Sequence, residues 1–160
     1  MFPKGANVEF KIENYLENNV SLIESGLKLV SRQYKVYYKS KQYIGAIDLF
    51  CQGKDGAQVV VELKSRELCS RDLGQIMAYY AICKKRAITH KLLDPRAYCI
   101  GLSVGPQYKA GITLLNGGKD INLQTYTYSI IQGTNISDKE FAVELKNYNY
   151  EEEGIFILKS

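Results

Sequence analysis

Two short apolar runs, Tyr43-Ile44-Gly45-Ala46-Ile47-Asp48-Leu49-Phe50-Cys51 and Gln58-Val59-Val60-Val61-Glu62-Leu63-Lys64-Ser65, flank a Gly53-Lys54-Asp55-Gly56-Ala57 turn. Branched and aromatic residues on either side of a glycine-bearing turn specify a β-hairpin of two apolar strands. This pair constrains the fold most, because it carries Asp48, Glu62 and Lys64 where burial makes charge expensive. Side chains alternate along a strand, so Val59, Val61 and Leu63 face one way and Val60, Glu62 and Lys64 the other. If Lys54-Asp55-Gly56 is a three-residue loop with Gly56 left-handed, Gly53 pairs with Ala57 and Asp48 falls opposite Glu62. A two-residue Asp55-Gly56 turn would instead set Asp48 opposite Leu63.

Directly opposed residues have Cβ atoms about 4.5–5.5 Å apart, near enough for two carboxylates to hold one ion. Without a cation they repel, and one is driven to keep a proton. Magnesium takes oxygen ligands and keeps several waters, so Asp48, Glu62, the Leu63 backbone carbonyl and a substrate phosphate would suit it. Lys64, two residues on along the same face, is placed to stabilise phosphate charge or to help deprotonate a water. An Asp/Glu/Lys ion-pair network that merely closes the end of a sheet uses the same three residues, and these residues alone leave both readings open.

The remaining chain alternates strands with helices. A first helix is expected with Asn7 as cap and Val8, Ile12, Leu16 and Val20 on one stripe. Strands are expected over 27–38, 43–51, 58–65, 97–104 and 121–130, with a polar turn at 39–42. A helix over about 70–84 has Ser70 as cap, Asp72 in its first turn and Leu73, Ile76, Met77 and Tyr80 as core stripe; a short helix is expected over 106–115. Ser137-Asp138-Lys139-Glu140 has capping-box spacing and predicts a last helix through Leu145. The pattern is α/β with a mixed sheet. At 160 residues it suits one domain.

With 46% hydrophobic and 24% charged residues, disorder is excluded, and no apolar run approaches the roughly 20 residues that a bilayer helix needs. The start of the sequence lacks the apolar segment of a signal peptide, so a cytoplasmic location with no membrane contact is expected. Cys51, Cys69, Cys83 and Cys99 have no C-x-x-C spacing and stand with a single histidine, which argues against zinc and disulfides alike. Net charge is only +4, but between Lys64 and Arg96 eight basic residues face three acidic ones, while Glu151, Glu152 and Glu153 crowd the tail. Such a basic stretch fits a polyanion partner or a solvated surface.

Gly45-x-x-Asp48-Leu49, then Val60-Val61-Glu62-Leu63-Lys64, then Gln75-x-x-x-Tyr79 resembles the PD-(D/E)xK nuclease superfamily. With Leu22-Ile23-Glu24-Ser25-Gly26-Leu27 and the Asp55-Gly56 turn, the likeness sharpens to the C-terminal nuclease domain of the NucS/EndoMS endonucleases, over about residues 8–128. Each short motif arises often by chance; their order and spacing together are more specific.

The resemblance implies a restriction-endonuclease-like mixed sheet flanked by helices. It implies a metal-dependent DNA endonuclease, with Asp48 and Glu62 as ligands of Mg²⁺ or Mn²⁺ and Lys64 as catalytic lysine. Gln75 and Tyr79, four apart on one helix face, would support the site, or be ordinary helix-flank residues. Glu9 would complete it directly or through water, or serve only as a first-turn glutamate, with Glu13 and Glu17 as rivals. Arg66, Arg71, Lys84, Lys85 and Arg86 would contact DNA. A homodimer is expected, and a targeting partner protein is possible on this reading, because the family's N-terminal DNA-binding domain has no counterpart in this sequence. Residues 1–130 are expected to form the nuclease domain, with 131–160 an extension packed on it. A polar insertion at 39–42, and Ala78 where the family often has arginine, depart from the pattern. Junction-resolving or exonuclease activity, or nucleic-acid binding without cleavage, are the alternatives on the same fold.

Overall fold

The structure, a computed structural model, describes residues 6–131, 141–149 and 158–159. Its centre is a six-stranded mixed sheet whose spatial order follows the chain: β1 (Lys28–Tyr38), β2 (Gln42–Gln52), β3 (Gln58–Leu63), β4 (Arg96–Gly101), β5 (Leu123–Ile130) and β6 (Val143–Asn147). β1, β2 and β3 are antiparallel, β3, β4 and β5 are parallel, and β6 returns antiparallel to β5. Helix α2 (Ser70–His90) makes the crossover from β3 to β4, and α3 (Pro106–Leu114) that from β4 to β5. Parallel neighbours require such crossovers, and the helices then cover the sheet.

Every residue of β3 is buried, as its place between β2 and β4 requires. Val60 faces Leu73, Ile76 and Tyr79 of α2 and Tyr108 and Ile112 of α3. Val59, Val61 and Leu63 face Ile12 and Leu16 of α1 (Ala6–Glu17). One strand thus feeds two cores, and Glu62 is carried into this apolar setting with 2% exposure.

The β2–β3 turn settles the register. Gly53 N–H donates to the Ala57 carbonyl at 2.9 Å, and Gly56 takes φ +91°. Pairing then runs from Gln52↔Gln58 to Leu49↔Val61, so the three-residue loop is the one adopted. Arg96 of β4 clamps this end of the sheet, donating to Glu24 at 2.8 Å and to Asp55 at 2.7 Å. Tyr98 also donates to Glu24 at 2.7 Å.

Several expectations are corrected. α1 begins at Ala6, placing Asn7 within the first turn, and Val20 belongs to a separate 3₁₀ turn, Val20–Leu22. The N-cap of α2 is Cys69, not Ser70; Asp72 reaches back to accept from the Cys69 N–H at 2.8 Å. The helix continues to His90 because Cys83 and Ala87 extend its buried stripe, whereas Met77 lies outside the stripe at 38% exposure. The last helix is not formed over its described part: Val143–Asn147 is a strand, because the open edge of β5 offers backbone partners that outweigh local helix preference. Residues 137–140 and 151–153 lie outside the described residues. Among the described residues no helix is long and apolar enough to cross a membrane.

Candidate active site

The ladder between β2 and β3 stops at Leu49↔Val61, and the carboxylates stand at the next step. Continued register would give the Leu63 N–H the Ile47 carbonyl. Instead Leu63 N–H donates to Asp48 Oδ2 at 2.7 Å, and Asp48 N–H donates to Glu62 Oε1 at 3.1 Å. The strands part here, and the two acidic side chains take over the backbone groups that parting releases. Asp48 and Glu62 are therefore brought together, opposite one another as the loop parity requires.

Their electrostatics follow from burial and proximity. Burial, and then the neighbouring Asp48 charge, push Glu62 from 4.5 up to about 9. Burial also raises Asp48, against the Leu63 N–H bond, and the charge of Glu13 adds to the rise. Lys64 is half-buried at the end of β3, and its charge favours the ionised form of both acids. Ser65 anchors the backbone just beyond: its N–H donates to Glu9 at 3.1 Å and its carbonyl accepts from the Tyr128 hydroxyl at 2.6 Å.

Gln75 and Tyr79 form a prop under β2. Gln75 Nε2 donates to the Tyr79 hydroxyl at 3.2 Å, which donates to the Ala46 carbonyl at 3.3 Å. Tyr79 is 1% exposed, and burial followed by the Glu62 charge raises its phenol to about 12, so it stays protonated as a donor. Its hydroxyl lies where a Cβ at position 45 would stand, and that backbone has φ +149°. Gly45 is thus required by both conformation and space. The pair touches the strand two residues before Asp48 rather than the carboxylates themselves.

On α1, Glu9, Glu13 and Glu17 recur four apart along one face. Glu9 meets the end of β3 through Ser65. Glu13 reaches the carboxylates through a residue that sequence reasoning missed: Gln33 Nε2 donates to Glu13 at 2.9 Å and to Asp48 Oδ1 at 3.1 Å. Gln33 can do so because it stands opposite Asp48 across the strands, between the pairs Arg32↔Leu49 and Tyr34↔Ile47, with φ +52° inside β1. Arg32 beside it donates to Glu13 at 2.6 Å and Glu17 at 2.7 Å and neutralises that face of the helix.

The basic residues divide. Arg66 grips the buried Asp72 at 2.7 and 2.9 Å and so holds the start of α2, with its guanidinium half-exposed. Arg71 is exposed on the first turn of α2. Lys84 pairs with Asp94, and Lys85 and Arg86 are exposed. These last lie roughly 20 Å along the helix from Arg71 at 1.5 Å per residue.

An all-oxygen donor set in which two acids repel in a buried place fits a hard divalent cation. Among the described residues no group of three or more histidine, cysteine and acidic side chains is disposed to hold a metal, so an ion here would rely on two carboxylates, backbone oxygen and water.

A family model described as the endonuclease NucS C-terminal domain matches residues 8–141. Endonuclease NucS of Rhodococcus jostii (strain RHA1) is 39% identical over 59 residues, covering 37% of this chain and 24% of the relative. Among solved structures, an EndoMS–dsDNA complex superposes with TM-score 0.59 at 19% identity, over 74% of this chain and 43% of that one. The crystal structure of a repair endonuclease from Pyrococcus abyssi gives 0.56 at 23% identity, over 78% and 47%. These structural likenesses establish the α/β fold, and the chain spans less than half the length of each of these relatives. The family match takes in every candidate site residue from Glu9 to Arg86, and the chain belongs to the endonuclease NucS C-terminal domain family.

Proposed function

We propose that the chain is a nuclease domain that hydrolyses phosphodiester bonds in DNA at the Asp48/Glu62/Lys64 site, with Mg²⁺ or Mn²⁺ as cofactor. The observation that carries this reading is the juxtaposition of two buried carboxylates at the parting of β2 and β3, with Lys64 two residues on. Asp48, Glu62 and the Leu63 carbonyl would hold the ion, which supplies activation of a water and neutralisation of phosphate charge. Lys64 places a further positive charge beside the scissile phosphate. Gln75 and Tyr79 position β2, and Glu9 and Glu13 close the α1 side. Arg71, Lys85 and Arg86, with Arg66 and Lys84 engaged in ion pairs, would meet the DNA backbone. Binding through them should weaken steeply with salt. The double-stranded DNA held by the EndoMS neighbour supports duplex DNA as the partner. A homodimer would let two sites address both strands, and a targeting protein would supply selectivity that phosphate contacts lack.

The test is incubation with labelled linear duplex, single-stranded, mismatched and branched DNA in Mg²⁺, Mn²⁺ or EDTA. Cleavage with either metal and none in EDTA is expected. Intact DNA under every condition would overturn the nuclease reading and leave a binding module.

A further inference from the structure

The Asp48 carboxylate is gripped from the strands on either side of it. Its Oδ2 accepts from the Leu63 N–H of β3 at 2.7 Å, and its Oδ1 accepts from Gln33 Nε2 of β1 at 3.1 Å. A carboxylate oxygen has two acceptor directions, so one N–H on each fixes the plane of the group and leaves a lone pair on each for an ion. The backbone donor comes with the β2–β3 pairing. The amide donor has to be carried there by a side chain.

Consecutive strand residues ordinarily point to opposite faces, yet Arg32 and Gln33 both reach Glu13 Oε1, at 2.6 and 2.9 Å. The left-handed backbone of Gln33, φ +52°, breaks the alternation. A residue other than glycine persists in that region only where its surroundings over-determine it, and such residues gather at functional sites. Gln33 Nε2 carries two hydrogens, one directed to Glu13 and one to Asp48. The reverse orientation would set the amide carbonyl against two carboxylates, so the neighbours fix which way it faces. Glu13 is itself 6% exposed and tied to Arg32, which braces the amide from α1.

The kind of side chain matters as much as its place. A lysine or arginine here would pair with Asp48 and offset the charge that attracts a cation, and a glutamate would repel both neighbours. An amide orients the carboxylate and leaves its charge intact. Gln33 is exposed, so its replacement removes no core packing.

We propose that Gln33 is a positioning residue for metal binding: it holds the Asp48 carboxylate in the orientation that receives a divalent ion, braced against α1 through Glu13. The role rests on Asp48 being a ligand of that ion.

Calorimetric titration with Mn²⁺, beside thermal melting in EDTA, tests it. Gln33→Gly removes the amide and suits the left-handed backbone; Gln33→Leu keeps the length of the side chain without its donors. Both should melt within a few degrees of wild type and bind Mn²⁺ about tenfold or more weakly. Gln33→Lys should also bind weakly, because its ammonium competes with the ion for Asp48. Glu13→Leu should lose affinity as well, and adding Gln33→Gly to it should lower affinity little further. Losses that simply add would overturn the brace through Glu13. Wild-type affinity in Gln33→Gly and Gln33→Leu, with binding lost in Asp48→Ala, overturns the positioning role and leaves the metal site standing. Melting far below wild type in both variants would make Gln33 structural and also overturn it. Wild-type affinity in Asp48→Ala, or no Mn²⁺ binding by the wild-type chain, removes the ligand reading and the proposal with it.

Discussion

The β2–β3 hairpin holds acidic residues at both ends, and the two ends treat them oppositely. At the turn, hydrogen bonds from Arg96 and then the Ala57 N–H bring Asp55 down to about 2. Burial pushes Glu24 up, but Arg96 and Tyr98 outweigh it and its pKa falls. At the parted end Glu62 rises to about 9 beside Asp48, with Lys64 too weak a counterweight. Opposed charges tie the turn into the sheet, while like charges at the other end leave an electrostatic demand for a cation. The acids at the turn are neutralised by their neighbours and serve the fold, whereas the uncompensated pair at the parted end is the candidate for chemistry.

The comparison breaks most sharply on cleavage. Asp48→Ala or Glu62→Ala should lower it by about a thousandfold or more, whereas Asp55→Ala should leave it near wild type. Undiminished turnover by Glu62→Ala, in a gel-based assay with Mg²⁺, would assign both ends to structure. Lys64→Ala comes next, with a loss of about a hundredfold. Calorimetry with Mn²⁺ should find its metal affinity retained and that of Asp48→Ala gone, and equal affinities in the two variants would remove Asp48 as a ligand. A third variant addresses the turn. Arg96→Ala leaves the half-buried Glu24 without its cation and should cost about 1–3 kcal/mol in urea unfolding, with little change in the rate constant for cleavage. An unchanged midpoint would make the clamp dispensable.

The smallest effect lies in pH. Without a cation, Glu62 keeps its proton to about pH 9 in the folded chain and releases it near 4.5 once unfolded. Between these values the unfolded chain binds fewer protons, so this group's contribution to stability falls as pH rises. Asp55 works in the other direction: its contribution is present above 3.8 and is lost as pH falls towards about 2. In EDTA, Glu62→Gln should melt above wild type at pH 8, with the gap closing towards pH 5. A gap that is constant across that range would mean that Glu62 titrates normally.

The part of this legible in sequence is the part set by parity. Gly56 marks a left-handed position in a turn of either two or three residues, and once the length is three the meeting of Asp48 with Glu62 is arithmetic. β6 was not legible, because Glu144, Leu145 and Lys146 are good helix formers locally and only the exposed edge of β5 makes them a strand. Gln33 was hidden for a related reason: its link between Glu13 and Asp48 depends on the β1–β2 register, which a bulge between Val36 and Tyr37 shifts by one from a count out of the 39–42 turn. Charge alone makes Arg66 a phosphate ligand, and its grip on Asp72 depends on how the first turn of α2 packs beside the end of β3.

The Lys54-Asp55-Gly56 loop lies at the far end of the hairpin from the carboxylates, yet its length is their timing device. One residue more or fewer would turn Asp48 from Glu62 without altering a single site residue, since strand neighbours alternate by twos. No such parity binds the tip at 39–42, where the bulge between Val36 and Tyr37 already shifts the β1–β2 register. Related chains should therefore differ freely in length at that tip and hold the β2–β3 loop at three residues, a contrast that counting loop lengths across the family would expose.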